Sequence, residues 1–397
     1  MNVDLTTDFD RIIDRRGTQC QKWDMMEARC GVAGEDALAM WVADMDFRSP
    51  PEVREALRQA AEHGVFGYLG DEGPYREAIR WWMETRHAWR LDPDHVFTTH
   101  GLVNGVSLCL QALTEPGDGI VLMTPVYHAF SRAIRANARE VVEMPLTIGA
   151  DGCHAMDIDA WESAMTGRER MLILCSPHNP GGRVWTRDEL RQVADFCRRH
   201  DLILVSDEVH HDLVFAPHAH VPMPLAAPEV ADRLVMLTAA SKTFNIAGEH
   251  IGNVTIADPT LRARFAARMQ ASSISANFLG QGMVRAAYSP EGAEWVGELV
   301  GYLDGNRRLF DDGLDAIPGV RSMPLQSTYL AWVDFSGTGM TADEVNARVG
   351  RVARIAASPG PAFGKGGESW LRFNLGMPRV QIAEAVERLQ HAFTDLQ

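Results

Sequence analysis

Short apolar runs that alternate with helix-patterned stretches are the feature that most restricts what this chain can fold into. Residues 95–99, 120–124, 140–144, 171–175, 202–206, 234–237 and 251–257 read as strands, and helical spacing separates several of them, as at 130–137 and 187–200. Such alternation predicts an α/β fold with a mostly parallel central sheet between helices. In an open parallel sheet, ligands bind outside the carboxyl ends of the strands. Those ends carry Thr124-Pro125-Val126-Tyr127, Ser176-Pro177-His178-Asn179-Pro180-Gly181-Gly182, Ser206-Asp207-Glu208-Val209-His210 and Ser241-Lys242. Their convergence on one crevice is the geometric argument for an active site.

The stretch TAASKTFNIAGEHIG at 238–252 follows the buried-strand pattern at 234–237 and places Lys242 just past its end. A lysine among Ala239, Ala240, Phe244 and Ile246 would have a depressed pKa and serve as an amine nucleophile. The competing reading is an ordinary loop lysine. Upstream, 95–99 runs into His100-Gly101-Leu102-Val103-Asn104-Gly105 and an apolar helix to about 113. A strand, a glycine turn and a helix N-terminus make an anion site, because free amides and the helix dipole face the ligand.

The N-terminal residues 1–47 read as an arm with a short helix at 8–14 and a strand at 40–47 that carries Asp44 and Asp46. Without a histidine or cysteine beside them, those carboxylates suit structural hydrogen bonding better than a metal. Ser49, Pro50 and Pro51 open a helix to about 62. Tyr68, bracketed by Gly67 and Gly70, is a packing anchor or a ligand contact. A helix at 74–87 follows. Past 257 the pattern turns helical, with 286–317 crossing between domains. Strands near 327–334 and 370–374 and helices near 342–351 and 380–394 then suggest a small α+β domain. The expected division is an arm with part of the small domain at 1–47, a large domain at 48–285, and the small domain with its interdomain helix at 286–397.

With 397 residues and 46% apolar composition the chain can fill two cores, and a formal net charge of −15 argues against nucleic acid or an anionic membrane as partner. A small metabolite is the expected ligand. No apolar leader or spanning stretch is visible, so a cytoplasmic protein is expected. The six cysteines show no CxxC spacing.

An aspartate past a buried strand, an Asn-Pro-Gly turn, a tyrosine ring, a glycine-led helix N-terminus and a lysine together fit pyridoxal phosphate. That cofactor needs a lysine for its aldehyde, a carboxylate for its pyridine nitrogen, a donor to its phenolic oxygen, an aromatic face and an anion cradle. The chain resembles the fold-type-I pyridoxal-phosphate enzymes of the aspartate-aminotransferase superfamily over essentially its whole length. Within it, the nearest likeness is to the MalY/PatB cystathionine β-lyase (C–S lyase) branch. The resemblance rests on MWVADMDF at 40–47, FGY at 66–68, TPVY at 124–127, SPHNPGG at 176–182, SDEVHHDL at 206–213, SKTFNIAG at 241–248, STYLAWVDF at 327–335 and LRFNLGMPR at 371–379.

The resemblance implies an aminotransferase-like large domain with a smaller α+β domain. It also implies that Lys242 bonds the cofactor, Asp207 pairs with its pyridinium, Asn179 bonds its phenolic oxygen and Tyr127 stacks on its ring. Lys242, Asp207 and Tyr127 form the implied catalytic group. Amides of Gly101, Leu102 and Val103, helped by Ser241, would hold the phosphate. Arg372 would grip the substrate carboxylate with its planar fork, with Asn179 and Tyr68 also at the substrate. Tyr68 would reach the phosphate of the neighbouring subunit in a homodimer with shared active sites.

Two positions depart from the superfamily pattern. His210 stands where many aminotransferases have tyrosine, as is common in the lyase branch, and His250 stands where they have arginine, which weakens the cationic grip on the phosphate. Metal binding by His210, His211, His218 and His220 is disfavoured, because neither zinc-protease nor deaminase spacing is present. The expected reaction is β-elimination from cystathionine or another S-substituted cysteine, giving a thiol, pyruvate and ammonia. Transamination is the alternative, and a regulatory protein with a vestigial cofactor site is a third possibility.

Overall fold

The computed structural model describes residues 7–396. Seven strands build the large sheet: β1 (Val96–Thr99), β2 (Gly119–Leu122), β3 (Glu140–Glu143), β4 (Glu169–Cys175), β5 (Ile203–Asp207), β6 (Leu234–Thr238) and β7 (Gly252–Thr255). Their order across the sheet is β1-β7-β6-β5-β4-β2-β3. Every adjacent pair is parallel except those of β7, which runs antiparallel to both β6 and β1. β2 and β6 are buried throughout and β4 at all but one position, as strands covered on both faces must be.

Helices α1 (Pro51–His63) and α2 (Gly73–His87) pack on a later helix (Phe278–Ala287), while α3 (Leu102–Leu113), α4 (His128–Ala136) and α5 (Arg187–Arg199) pack on the sheet. The start of α5 is fixed by a capping box. Thr186 Oγ1 accepts from Glu189 N at 3.3 Å, and Glu189 Oε2 accepts from Thr186 N at 2.7 Å. Such a cap contributes about 1 kcal/mol. It seats the apolar side of the helix, with Leu190, Val193, Ala194 and Phe196, against the core.

The second sheet, β8 (Arg321–Ser322), β9 (Leu330–Asp334), β10 (Ser358–Pro359) and β11 (Trp370–Asn374), has the order β8-β9-β11-β10 and is antiparallel throughout. The helix expected at 286–317 is present as one helix over Pro290–Leu314, and residues 286–287 end the helix before it. α6 (Phe278–Ala287) stops before Ser289, whose hydroxyl caps the 25-residue α7 (Pro290–Leu314) by accepting from Gly292 N at 3.1 Å. Proline at the first turn of α7 cannot continue the preceding helix.

Three local expectations fail for stated reasons. Residues 8–14 form no helix: the carboxylates of Asp8 and Asp14 accept from Asp10 N and Arg16 N instead, which closes local turns in place of a helix. Residues 40–47 form no strand. Only Leu38–Ala39 pairs, in parallel with Ile355–Ala356, and beyond it the carbonyls of Val42 and Asp44 accept from the side-chain amide of Asn374. Ser49 does not cap α1, since its hydroxyl donates to Asn245 O at 3.2 Å and Pro50 takes the cap position.

Asp44 and Asp46 are structural, as expected. Arg15 bonds both, Asp46 also accepts from Lys22 Nζ at 2.7 Å and Trp23 Nε1 at 2.9 Å, and Lys22 is fully buried. The cysteines are all free thiols. Among the described residues no helix is long and apolar enough to cross a membrane.

Candidate functional site

The carboxyl ends of β4, β5 and β6 meet at one edge. Register puts Cys175 opposite Asp207 and Asp207 opposite Leu237, so the turns bearing Asn179, Asp207 and Lys242 leave the sheet side by side. Asp207 is buried and receives Val209 N at 3.1 Å. Burial pushes its carboxyl up to about 7, against the lowering effect of that hydrogen bond and of the Lys242 charge.

Lys242 lies on the turn after β6. Its Nζ donates to Ala43 O at 2.7 Å, and Tyr329 OH donates to the same carbonyl at 2.9 Å. Burial lowers the Lys242 pKa; Asp44 and Asp207 oppose that shift and Arg372 adds to it. The irregular segment at 40–47 is thus a wall of the site. Neither Ala43 O nor Tyr329 was singled out from sequence, because a backbone acceptor leaves no mark on residue type.

Arg372, in the middle of β11, is buried and reaches across from the second sheet. Its Nη1 donates to Asn179 Oδ1 at 3.0 Å, its Nη2 to Trp41 O at 2.7 Å and Ser358 Oγ at 3.3 Å, and the guanidinium carbon sits 5.0 Å from the Phe363 ring centre. Nε has no partner among the described residues. Burial lowers this guanidinium to about 10, against the opposing effect of Tyr127 and Tyr329.

Tyr127 occupies the cap position of α4, with its ring 5.5 Å from that of Phe130. Burial raises its pKa. Gly101 precedes α3 with φ of +80°, a conformation that favours glycine, and Leu102 and Val103 begin the helix. A Cβ on Gly252 would stand 2.9 Å from Gly101 C and Leu102 N, so β7 can lie this close to the helix N-terminus only with glycine there. Ser241 is half-buried beside Lys242.

His210 is buried, and its Nδ1 is without a partner among the described residues. Burial, then the Lys242 and Arg372 charges, hold it well below the ordinary histidine range. His250, exposed with φ of +53°, sits two residues before Gly252. Tyr68 is wholly exposed on the loop between α1 and α2. The ligand atoms of His87 and His211 cluster with those of Asp212 within 4.8 Å, and the His220 ring packs beside both histidines, at 5.8 and 6.3 Å between ring centres.

A doubly covered, mostly parallel sheet with lysine, aspartate, asparagine and arginine gathered at its carboxyl edge defines an α/β enzyme of small-molecule metabolism. The chain belongs to the aminotransferase class I and II family, whose model matches residues 37–389. It is 36% identical over 389 residues to the cystathionine beta-lyase PatB of Bacillus subtilis, covering 97% of this chain and 100% of that one. It is 34% identical to the protein MalY of Escherichia coli, covering 97% and 98%. Among solved structures, cystalysin from Treponema denticola, which contains a pyridoxal 5'-phosphate cofactor, superposes with a TM-score of 0.94 at 33% identity over 99% of this chain and 100% of that one.

Proposed function

We propose that the chain is a pyridoxal-phosphate-dependent carbon–sulfur β-lyase that takes cystathionine or another S-substituted cysteine to a thiol, pyruvate and ammonia. The observation that carries this reading is the placing of Lys242 and Asp207 on adjacent turns at one sheet edge, each shifting the other's pKa. The near full-length similarity to PatB, named a cystathionine beta-lyase, favours the lyase over the aminotransferase alternative.

The residues fit the cofactor. The carboxyl of Asp207, raised by burial, suits a protonated ring nitrogen, which would restore its ionisation. The open glycine turn at Gly101 and the amides of Leu102 and Val103 at the start of α3, with Ser241, suit a phosphate. His250 would add a cation weaker than arginine. Tyr127 offers a ring face, and Asn179, with Oδ1 fixed by Arg372, offers its amide N–H to the phenolic oxygen. His210, held neutral, borders the same pocket.

When bound, pyridoxal phosphate supplies an aldehyde that captures amines and a cationic ring that accepts electron density from the substrate's Cα. Lys242 would hold that aldehyde at rest and, when free, would take the substrate's Cα proton on Nζ; its lowered pKa leaves more of the amine unprotonated for that task. Asp207 would keep the ring nitrogen protonated. Arg372 and Asn179 hold the substrate carboxylate, which fixes the Cα–H bond toward Lys242. The Cβ–S bond breaks, the thiolate leaves with a proton, and one water completes pyruvate and ammonia.

On the same reading, residues 48–285 form the cofactor-binding domain, with 1–47 as an arm and 286–397 as the small domain, and the protein works in the cytoplasm. It is a homodimer with shared sites. Tyr68 stands exposed with Val65 and Phe66 on its loop, and Phe278 and Leu279 are exposed at the start of α6, the apolar surface that a second copy would cover. Tyr68 would then serve the partner's phosphate and substrate.

Purified enzyme with cystathionine should release pyruvate without a keto-acid acceptor. Amino transfer to a keto acid in the absence of pyruvate release would assign the chain to the aminotransferases instead.

A further inference from the structure

Behind the Lys242 and Asp207 turns lies a buried polar group that the proposed reaction leaves unused. Its centre is Asp212, whose side chain is fully buried. Oδ1 accepts from His87 Nε2 at 2.8 Å and faces Arg86 Nε at 3.4 Å; Oδ2 accepts from Thr243 Oγ1 at 2.9 Å. Trp82 Nε1 donates to both oxygens, at 3.2 and 3.1 Å. His211 Nε2 stands 3.2 Å from Oδ2.

Two of these contacts reach the reaction centre through the backbone. Thr243 is the residue after Lys242. Asp212 belongs to the turn that leaves β5 at Asp207, closed by His211 N to Glu208 O at 3.1 Å and Leu213 N to His210 O at 3.0 Å. One carboxylate therefore ties the Asp207 segment to the Lys242 segment and anchors both to α2 through Trp82, Arg86 and His87.

His211 Nδ1 donates to the Glu208 carbonyl, which cannot donate in return. Nε2 stands 3.2 Å from Asp212 Oδ2, outside hydrogen-bond geometry but close enough for the carboxylate to favour the charged ring. His87, pushed down to about 4 chiefly by burial, donates to Asp212 as a neutral ring. Burial also works against the charge on His211, but Asp212, and after it Glu208, outweigh it and raise the pKa. The other charged groups around the pair are Arg86, Glu208, which holds His220 Nε2 at 2.8 Å, and beyond them Asp207 and Lys242. A metal does not suit these atoms, since Thr243 and Trp82 already occupy the carboxylate and the Arg86 cation stands beside it.

We infer that the His211–Asp212 ion pair, through its bond to Thr243, is a positioning device that sets Lys242 against Asp207 and keeps a positive charge behind Asp207. The catalytic part of this inference rests on the cofactor reading above; the ion pair itself does not.

Two measurements test it. In cofactor-free protein labelled with nitrogen-15 histidine, His211 should titrate above the ordinary histidine value, and Asp212→Asn should lower its midpoint. A wild-type His211 that titrates near the ordinary value of about 6.5 overturns the ion pair. In cofactor-loaded protein, Thr243→Val should lower kcat about tenfold or more with KM changed less than about threefold, and should shift the pH midpoint of the visible absorption band, while Thr243→Ser restores both. Wild-type kcat and midpoint in Thr243→Val overturn the positioning role, and this near-isosteric change decides the matter should Asp212→Asn fail to fold. If wild-type protein gains no visible band with pyridoxal phosphate, the cofactor reading fails, and with it the catalytic part, while the histidine titration still judges the ion pair.

Discussion

Arg372 Nη1 lies 3.0 Å from Asn179 Oδ1, so a single guanidinium joins a strand of the second sheet to the turn after β4. Arg372→Lys removes the planar fork while keeping the charge, and it frees the Asn179 amide to rotate. The expected result is a fall in kcat/KM on the order of 100-fold, carried mainly by KM. An unchanged KM for the amino acid would place the carboxylate elsewhere.

Lys242→Ala should abolish turnover and leave at most loosely held cofactor. Borohydride treatment of the wild-type holoenzyme followed by peptide mapping locates the attachment. A label on any other lysine sinks the assignment.

Asp207 carries a prediction in the cofactor-free protein. Its folded pKa of about 7 lies above the ordinary 3.8, so the folded state binds the proton more tightly than the unfolded state. Stability is then fullest below about pH 4 as far as this group is concerned, and is lost as pH rises through about 7. Three units correspond to about 4 kcal/mol, an upper figure for a buried carboxyl. Asp207→Asn should therefore raise the apoprotein melting temperature at pH 8 while abolishing activity. Equal melting temperatures for the two proteins at pH 8 would show that Asp207 is not strained by burial.

His250→Ala should weaken pyridoxal-phosphate affinity, and His250→Arg should tighten it, because a guanidinium offers a permanent charge and paired donors to a phosphate. Equilibrium dialysis distinguishes this from packing at the left-handed position that His250 occupies, where both substitutions would be neutral toward the cofactor.

Tyr68 tests the shared site. Inactive Tyr68→Ala and Lys242→Ala chains, mixed under exchange conditions, should form heterodimers with one doubly damaged and one intact site. Up to about half of the per-site activity should return. Verified heterodimers without activity would refute sharing.

The strands and helices of the large sheet were legible because each is a local pattern: β4, β5 and β6 are apolar runs closed by polar turns, and α5 announces its start with Thr186 and Glu189. The same runs mark Asn179 and Lys242 as lying past strand ends and Asp207 as closing one. Residue type and spacing alone determined that much. What only the tertiary structure decided were contacts between distant segments. Residues 40–47 look like a strand, yet their carbonyls turn to the Asn374 side chain and offer Ala43 O to Lys242 and Tyr329. Asp212 reads as one more acid in SDEVHHDL, yet it gathers Trp82, His87 and Thr243. Hydrogen bonds to backbone acceptors and among groups far apart in the chain leave no periodic trace in a sequence; they exist only once burial denies those groups water and packing brings their partners within reach.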